Sequence, residues 1–199
     1  MRNEKVAKPV SCDEVVFHRN SDDTRRRILC AAAVGFSEKG YDGLGLREIA
    51  ADAGVTAAMI NRYFGSKEKL FRTIAADVIK LRYEKRFVFE EFCGEVSKYV
   101  MSQKLLEFDY ARLDPSMFCL RSVGSRTAVP IVAEAFHRGF LLPLAKEIGG
   151  KDAELKVAMI SSCIIGSVIL RDMMRSPVFA GRNSRKLTKM LGNAIKNCR

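Results

Sequence analysis

The chain reads as an all-α protein, and three observations carry that reading. Apolar residues recur at helical spacing along most of its length. Strand-like alternation is nearly absent, and Gly and Pro fall where helices would end. About nine helices are expected, the first three forming a unit that contains a helix–turn–helix. The expected divisions are a leader over 1–21, the three-helix unit over 22–66, and a larger helical domain over 67–199.

With 199 residues, 48% hydrophobic and 29% charged, the composition is that of an ordinary globular protein with ample core. The formal net charge of +11 favours a polyanionic partner. Residues 24–86 hold 13 Lys/Arg against 7 Asp/Glu, and residues 181–199 hold six basic residues and no acidic one. The excess is therefore spread, and charge supports nucleic-acid binding less than the motif does.

Residues 1–21 are polar, mixed in charge and without periodicity. They read as a flexible leader, or as a basic arm of the kind that enters a minor groove. A first helix starts near Asp22, buries Ile28, Leu29, Ala32, Ala33 and Phe36, and stops at Gly40. Arg25, Arg26 and Arg27 lie near its start, either against a DNA backbone or on a solvated face.

In the next helix Leu46, Ile49, Ala50 and Ala53 form an apolar stripe. Gly54 can take the left-handed backbone that turns the chain. Thr56 then supplies an N-cap oxygen, and Ile60 and Phe64 hold a second short helix onto the first. The outward side carries Ala57, Ala58, Asn61 and Arg62, with Tyr63 near its end. Asn and Arg suit the donor–acceptor pattern of base edges, and alanines allow close approach. The sequence Gly65-Ser66-Lys67-Glu68 opens a further helix whose amides, with Lys67, would hold a phosphate. Without its context, the same two helices could be plain bundle packing.

These residues are similar to the TetR family of bacterial transcriptional repressors. The resemblance runs through Gly40-Tyr41, Ile49-Ala50, Ala53-Gly54-Val55-Thr56, Ile60, Tyr63-Phe64, Ser66-Lys67-Glu68 and Leu70, and covers roughly residues 24–72. Gly45 stands where the family usually has a Ser or Thr cap, and Ala58-Met59-Ile60-Asn61 stands where Gly-Thr-Leu-Tyr is common. The operator contacts of relatives therefore do not transfer unchanged. The resemblance implies a DNA-binding set of Arg47, Thr56, Ala57, Ala58, Met59, Asn61, Arg62, Tyr63 and Lys67. It also implies a C-terminal ligand-binding and dimerisation domain, with a ligand shifting the spacing of two recognition helices.

A fourth helix is expected over 67–89, with Leu70, Phe71, Ile74, Val78 and Leu81 inward and Arg82, Lys85 and Arg86 on its basic side. Large, soft side chains follow. Phe89, Phe92, Met101, Leu105, Phe108, Phe118, Phe136 and Met159 are candidates for an effector pocket, and equally suit a helical core. Asp114-Pro115 caps a short helix that Gly124-Ser125 ends. A long helix over 127–148 carries Pro130 in its first turn and a kink at Pro143. The helix over 152–174 is apolar on more than one side and must be covered on both. The last helix spans 184–197. Leu155, Met159, Ser162, Gly166 and Ile169, with Leu187, Met190, Leu191 and Ile195, are the candidate dimer interface that the resemblance implies.

Six scattered cysteines lack metal-ligand spacing and read as reduced, mostly buried thiols, with a redox pair as the alternative. Two distant histidines and no clustered carboxylates point to no metal, no cofactor and no catalytic residues. The longest uncharged run, 157–170, is shorter than the roughly 20 residues that cross a bilayer, so a cytoplasmic protein with no membrane partner is expected. Together these readings describe a ligand-responsive regulator, most simply a repressor. It would bind a palindromic operator in double-stranded DNA as a homodimer and be released by a small apolar or aromatic effector. The alternative is a helical DNA-binding or adaptor protein without an effector.

Overall fold

A computed structural model of the chain describes residues 21–80, 88–102, 106–179 and 183–198. The expected leader up to residue 20, the basic side formed by Arg82, Lys85 and Arg86, and Leu81 and Leu105 lie outside the described residues. The helices in order are α1 (Ser21–Lys39), α2 (Leu46–Asp52), α3 (Ala57–Phe64), α4 (Lys67–Val78) and α5 (Phe89–Ser102). A small hairpin follows, β1 (Leu106–Glu107) and β2 (Arg112–Leu113). Then come α6 (Pro115–Ser122), α7 (Ala128–Phe136), α8 (Leu142–Ile148), α9 (Ala153–Val168) and α10 (Ser184–Asn197). Among the described residues the fold is all-α apart from that hairpin, which pairs Leu106 with Leu113 and Glu107 with Arg112.

The chain forms two compact units, Met1–Val78 with Leu105–Val132 and Ile79–Lys104 with Ala133–Arg199. The packing thus groups α4, the hairpin and α6 with the helix–turn–helix, whereas the sequence suggests a single break at 66/67. The cause is aromatic. Phe71 of α4 stacks on Phe118 of α6 at 5.1 Å and meets Phe36 of α1 edge-on at 4.9 Å. Tyr41 closes the group 5.0 Å from Phe71. Phe36, Phe71 and Phe118 are fully enclosed, and such rings dominate the energetics of a core this size.

Helix α4 ends at Val78, not near residue 89 as the sequence suggests. No Gly or Pro marks that end, so the local signal is missing. Asp114 caps α6 as expected, its carboxylate accepting from the Ser116 amide at 2.8 Å.

In the second unit α10 lies along α5 and also meets α9, while α8 packs on α9. Gly192 lets α10 approach closely, since a Cβ there would sit 3.3 Å from the Ser97 hydroxyl. Leu144, Ala145 and Val157 form a small core with Phe92, Phe140, Leu141, Ile148 and Ala153 around it. Between α7 and α8 the helix widens to π geometry over His137–Leu141, with the Leu142 amide bonded to the His137 carbonyl. This is how the chain accommodates Pro143. A proline ring crowds the carbonyl four residues back, and one wide turn relieves it without breaking the helix.

A second π segment, Ile169–Met173, extends α9. The helical stretches Ala128–Ile148 and Ala153–Met173 are therefore 21 residues each and, by length and composition alone, apolar enough to span a bilayer. This exceeds the run read from the sequence, because the extension passes through Arg171 and Asp172. These two neutralise each other in a nearly enclosed site, Arg171 Nε donating to Asp172 Oδ1 at 2.7 Å. Only 22% of each apolar window is buried within the chain.

Cys93, Cys119, Cys163 and Cys198 are free thiols. Cys30 is disulfide-bonded, which departs from the reading of reduced thiols and fits its alternative of a cysteine pair, and Cys12 lies outside the described residues.

Candidate nucleic-acid interface

The turn between α2 and α3 is built as its residues dictate. Gly54 holds φ at +62°, and the Val55 amide reaches back to the Ala50 carbonyl at 2.9 Å. Thr56, extended at φ −95° and ψ 154°, starts α3, its hydroxyl accepting from the Met59 amide at 3.3 Å. Gly45 occupies the N-cap of α2 without a side-chain bond, and glycine is an acceptable cap there.

Ile60 and Phe64 are buried and fix which side of α3 faces the core. Ala58, Asn61 and Arg62 are exposed, with Ala57, Met59 and Tyr63 half-buried beside them and Thr56 exposed at the start. Arg47 on α2 is exposed too. Among the described residues no carboxylate lies within ion-pair distance of Arg47, Arg62 or Lys67. Their charge is available to an incoming anion without breaking a bridge.

The surrounding groups hold these side chains in place. The Arg62 guanidinium lies 5.3 Å from the centre of the Tyr63 ring. The Tyr63 hydroxyl is 3.3 Å from the Ser21 hydroxyl, and that bond lowers its pKa. Lys67 sits over Tyr41 at 4.4 Å, and partial burial lowers its pKa although Asp42 opposes the shift. Ser66 caps α4 by accepting from the Lys69 amide at 3.1 Å.

The three arginines of α1 do work that neither sequence alternative described. Arg27 donates to the Ala53 carbonyl at 2.8 Å, tying α1 to the end of α2. Arg26 donates to the Asp109 carbonyl, and Arg25 lies 5.2 Å over Phe64. The tie from Arg27 to Ala53 and the Tyr41 ring under Lys67 are thus the contributions sequence reasoning missed. Only long-range pairing reveals them.

The candidate pocket residues fall in both units. Phe118 and Phe108 belong to the first unit, where Phe118 is core and Phe108 stacks on Tyr110 at 6.1 Å. Both rings pack against aromatic partners within that unit, Phe118 on Phe71 of α4 and Phe108 on Tyr110 of the hairpin. Met159 is 58% exposed on α9 and is likewise no lining residue of this chain's interior. In the second unit Phe89 is buried, Phe92 and Met101 are half-buried, and Phe136 stacks on Phe140 at 5.4 Å. Phe140, 6.5 Å from Phe92, completes a row of rings that the sequence did not single out.

The candidate dimer residues divide by helix. On α9, Leu155, Met159 and Ser162 are exposed and Gly166 and Ile169 half-buried. On α10, Met190 is exposed and Leu187 half-buried, while Leu191 and Ile195 are already buried within the chain.

Residues 28–74 match the family model described as bacterial regulatory proteins, tetR family, and residues 103–198 match that of the tetracyclin repressor-like C-terminal domain. The chain belongs to the TetR family of bacterial regulatory proteins, which is made of DNA-binding regulators and not of enzymes. No curated protein matches the sequence. Among solved structures the fold is similar to the reduced form of NemR from E. coli, at 14% identity and TM-score 0.62, covering 86% of this chain and 96% of that one. It is also similar to NalD from Pseudomonas aeruginosa, the secondary repressor of the MexAB-OprM multidrug efflux pump. That likeness has 19% identity and TM-score 0.60, and covers 88% of this chain and 97% of NalD.

Proposed function

We propose that the chain is a cytoplasmic, homodimeric transcriptional repressor that reads a palindromic operator and is released by a small apolar or aromatic effector. The observation that carries the DNA-reading part is the orientation of α3. Ile60 and Phe64 are buried, Asn61 and Arg62 stand exposed beside Ala58, and among the described residues no carboxylate pairs Arg62. In two copies, two such helices would enter successive major grooves. Arg47, Asn61 and Arg62 take base or near-base contacts, while Thr56, Ala57, Met59, Tyr63, Lys67 and the helix amides hold the backbone.

The dimer is supported by the exposed apolar stripe on α9, where Leu155 and Met159 are 66% and 58% exposed, with Ile165 and Met173 exposed elsewhere on the same extended helix. A stripe of this length on one helix is more than scattered exposed apolar residues account for. The ring row of Phe89, Phe92, Phe136 and Phe140 supports an apolar or aromatic effector. Effector binding would favour one arrangement of the two recognition helices and weaken DNA binding by its differential affinity.

Fluorescence anisotropy against the DNA upstream of the protein's own gene, with scrambled DNA alongside, tests this. Selective binding that Arg62→Ala makes less selective supports the reading. If selection from the whole genome also yields no preferred fragment, α3 is scaffold and the proposal fails.

A further inference from the structure

We propose that a cleft between α1, α4 and the turn of the hairpin binds a small zwitterion of the amino-acid class, with a carboxylate and an ammonium on an apolar body. The cleft has a volume of about 430 Å³ and lies wholly within the first unit. That volume falls in the range that takes a small organic molecule. From α1 come Asp22, Arg25, Arg26 and Leu29, from α4 Asp77, and from the turn Asp109 and Tyr110.

The arginines of this cleft are held in place but not neutralised. Arg26 donates to the main-chain carbonyl of Asp109, and the Arg25 guanidinium lies 5.2 Å over the Phe64 ring. Both are positioned by groups that carry no net negative charge. Among the described residues neither arginine forms an ion pair, and neither does Asp22 or Asp109. Cations and anions therefore line one cleft without closing on each other.

This arrangement selects the charge of the ligand. A simple anion would find Arg25 and Arg26 but also meet Asp22, Asp77 and Asp109. A simple cation would find the carboxylates but also meet both guanidiniums. A molecule with one charge of each sign satisfies both sets, its carboxylate taking guanidinium N–H groups and its ammonium donating to aspartate oxygens. The buried side chains of Leu29 and Tyr110 give the cleft an apolar part, which suits an apolar side chain on the ligand. None of these residues lies on α2 or α3, and none belongs to the ring row of the second unit, so the inference stands apart from both parts of the proposed function.

The test is a titration of the full-length protein with each of the proteinogenic amino acids at millimolar concentration, followed through its backbone amide resonances. At least one apolar amino acid should give saturable shifts at the start of α1, the end of α4 and residues 108–110. The amine that lacks its carboxylate and the acid that lacks its ammonium should each bind weaker by on the order of tenfold. Asp109→Asn, which keeps the main-chain carbonyl that Arg26 uses, should weaken the zwitterion by a similar factor, on the order of tenfold, and leave the acid analogue no weaker. Arg25→Gln should weaken the zwitterion and leave the amine analogue no weaker. The ligand-free spectra of both variants report whether the fold is kept. An absence of saturable shifts in this cleft with every amino acid, an analogue of single charge binding as tightly as its parent, or unchanged affinity in both variants would each overturn the proposal.

Discussion

The Lys67 ammonium sits 4.4 Å above the centre of the Tyr41 ring, so the cation expected to meet a phosphate is held by an aromatic face before DNA arrives. A cation over a ring keeps its charge and loses part of its freedom. Burial lowers the Lys67 pKa, yet among the described residues no carboxylate lies within ion-pair distance of it. Lys67→Ala should therefore weaken binding to operator and scrambled DNA alike, and reduce the salt slope by about one ion. Tyr41→Leu should keep the slope and weaken binding less. An unchanged slope in Lys67→Ala, read by anisotropy across a salt series, would show that Lys67 only packs against Tyr41.

Arg27 and Ala53 make a second, purely structural relationship. The guanidinium bond to the Ala53 carbonyl is part-buried and spans the end of α2. Arg27→Ala should cost about 1–2 kcal/mol of stability by urea denaturation, since a charged hydrogen bond to an otherwise unpaired carbonyl is lost. Thr56→Ala, which removes only the 3.3 Å cap of α3, should cost about 0.5–1 kcal/mol, and Thr56→Ser close to nothing. If Arg27→Ala proved as mild as Thr56→Ser, α1 would not be what braces the turn.

How far each feature could be read from the sequence depended on the range of its cause. The turn at Gly54, the cap at Thr56 and the buried pair Ile60 and Phe64 are set by neighbours within a few residues, so their spacing announces them. Asp114 capping α6 is of the same kind. The pairing of Phe71 with Phe118 joins positions far apart, and nothing near either residue signals it. Hence a soft aromatic at 118 looks as suitable for a pocket as for a core. Strands of two residues, as in the 106–113 hairpin, are too short to alternate visibly. Pro143 announced a distortion but not its form, because a kink and a π turn relieve the same clash.

Phe118→Ala separates core from pocket by magnitude. A fully enclosed ring stacked on Phe71 should cost about 3–5 kcal/mol on truncation. Its loss should lower the thermal midpoint without any effector present, and should leave effector affinity unchanged in whatever fraction stays folded. A cost under about 1 kcal/mol would mean the ring borders open space, returning it to the pocket.

The Cys119 thiol gives a pH signature. In the folded chain burial holds its proton up to about 12, whereas the ordinary thiol value is 9.0. Between these values the unfolded state binds fewer protons than the folded state, so stability falls as pH rises through that window. Cys119→Ala removes this contribution. Urea midpoints measured at several pH values above 8 should therefore decline more steeply for wild type than for Cys119→Ala. Parallel curves would show that the thiol ionises as readily folded as unfolded.

The exposed stripe of α9 is the strongest statement the second unit makes about assembly. Leu155 and Met159 stand one helical turn apart, with Ser162 and Gly166 continuing the line at small size, so another helix could lie close along it. On the last helix, Leu191 and Ile195 are already buried against their own chain. Met159→Glu should therefore shift a dimer toward monomer in sedimentation equilibrium, by placing an uncompensated carboxylate in a dry contact. Its unfolding in urea should remain cooperative, since the side chain touches solvent in the isolated chain. Leu191→Ala should do the reverse, lowering stability through the α5–α10 contact while the dimer persists at concentrations where the chain is folded. If Met159→Glu leaves the mass of the assembly unchanged and Leu191→Ala halves it, the two copies meet through α10, and the α9 stripe needs another partner.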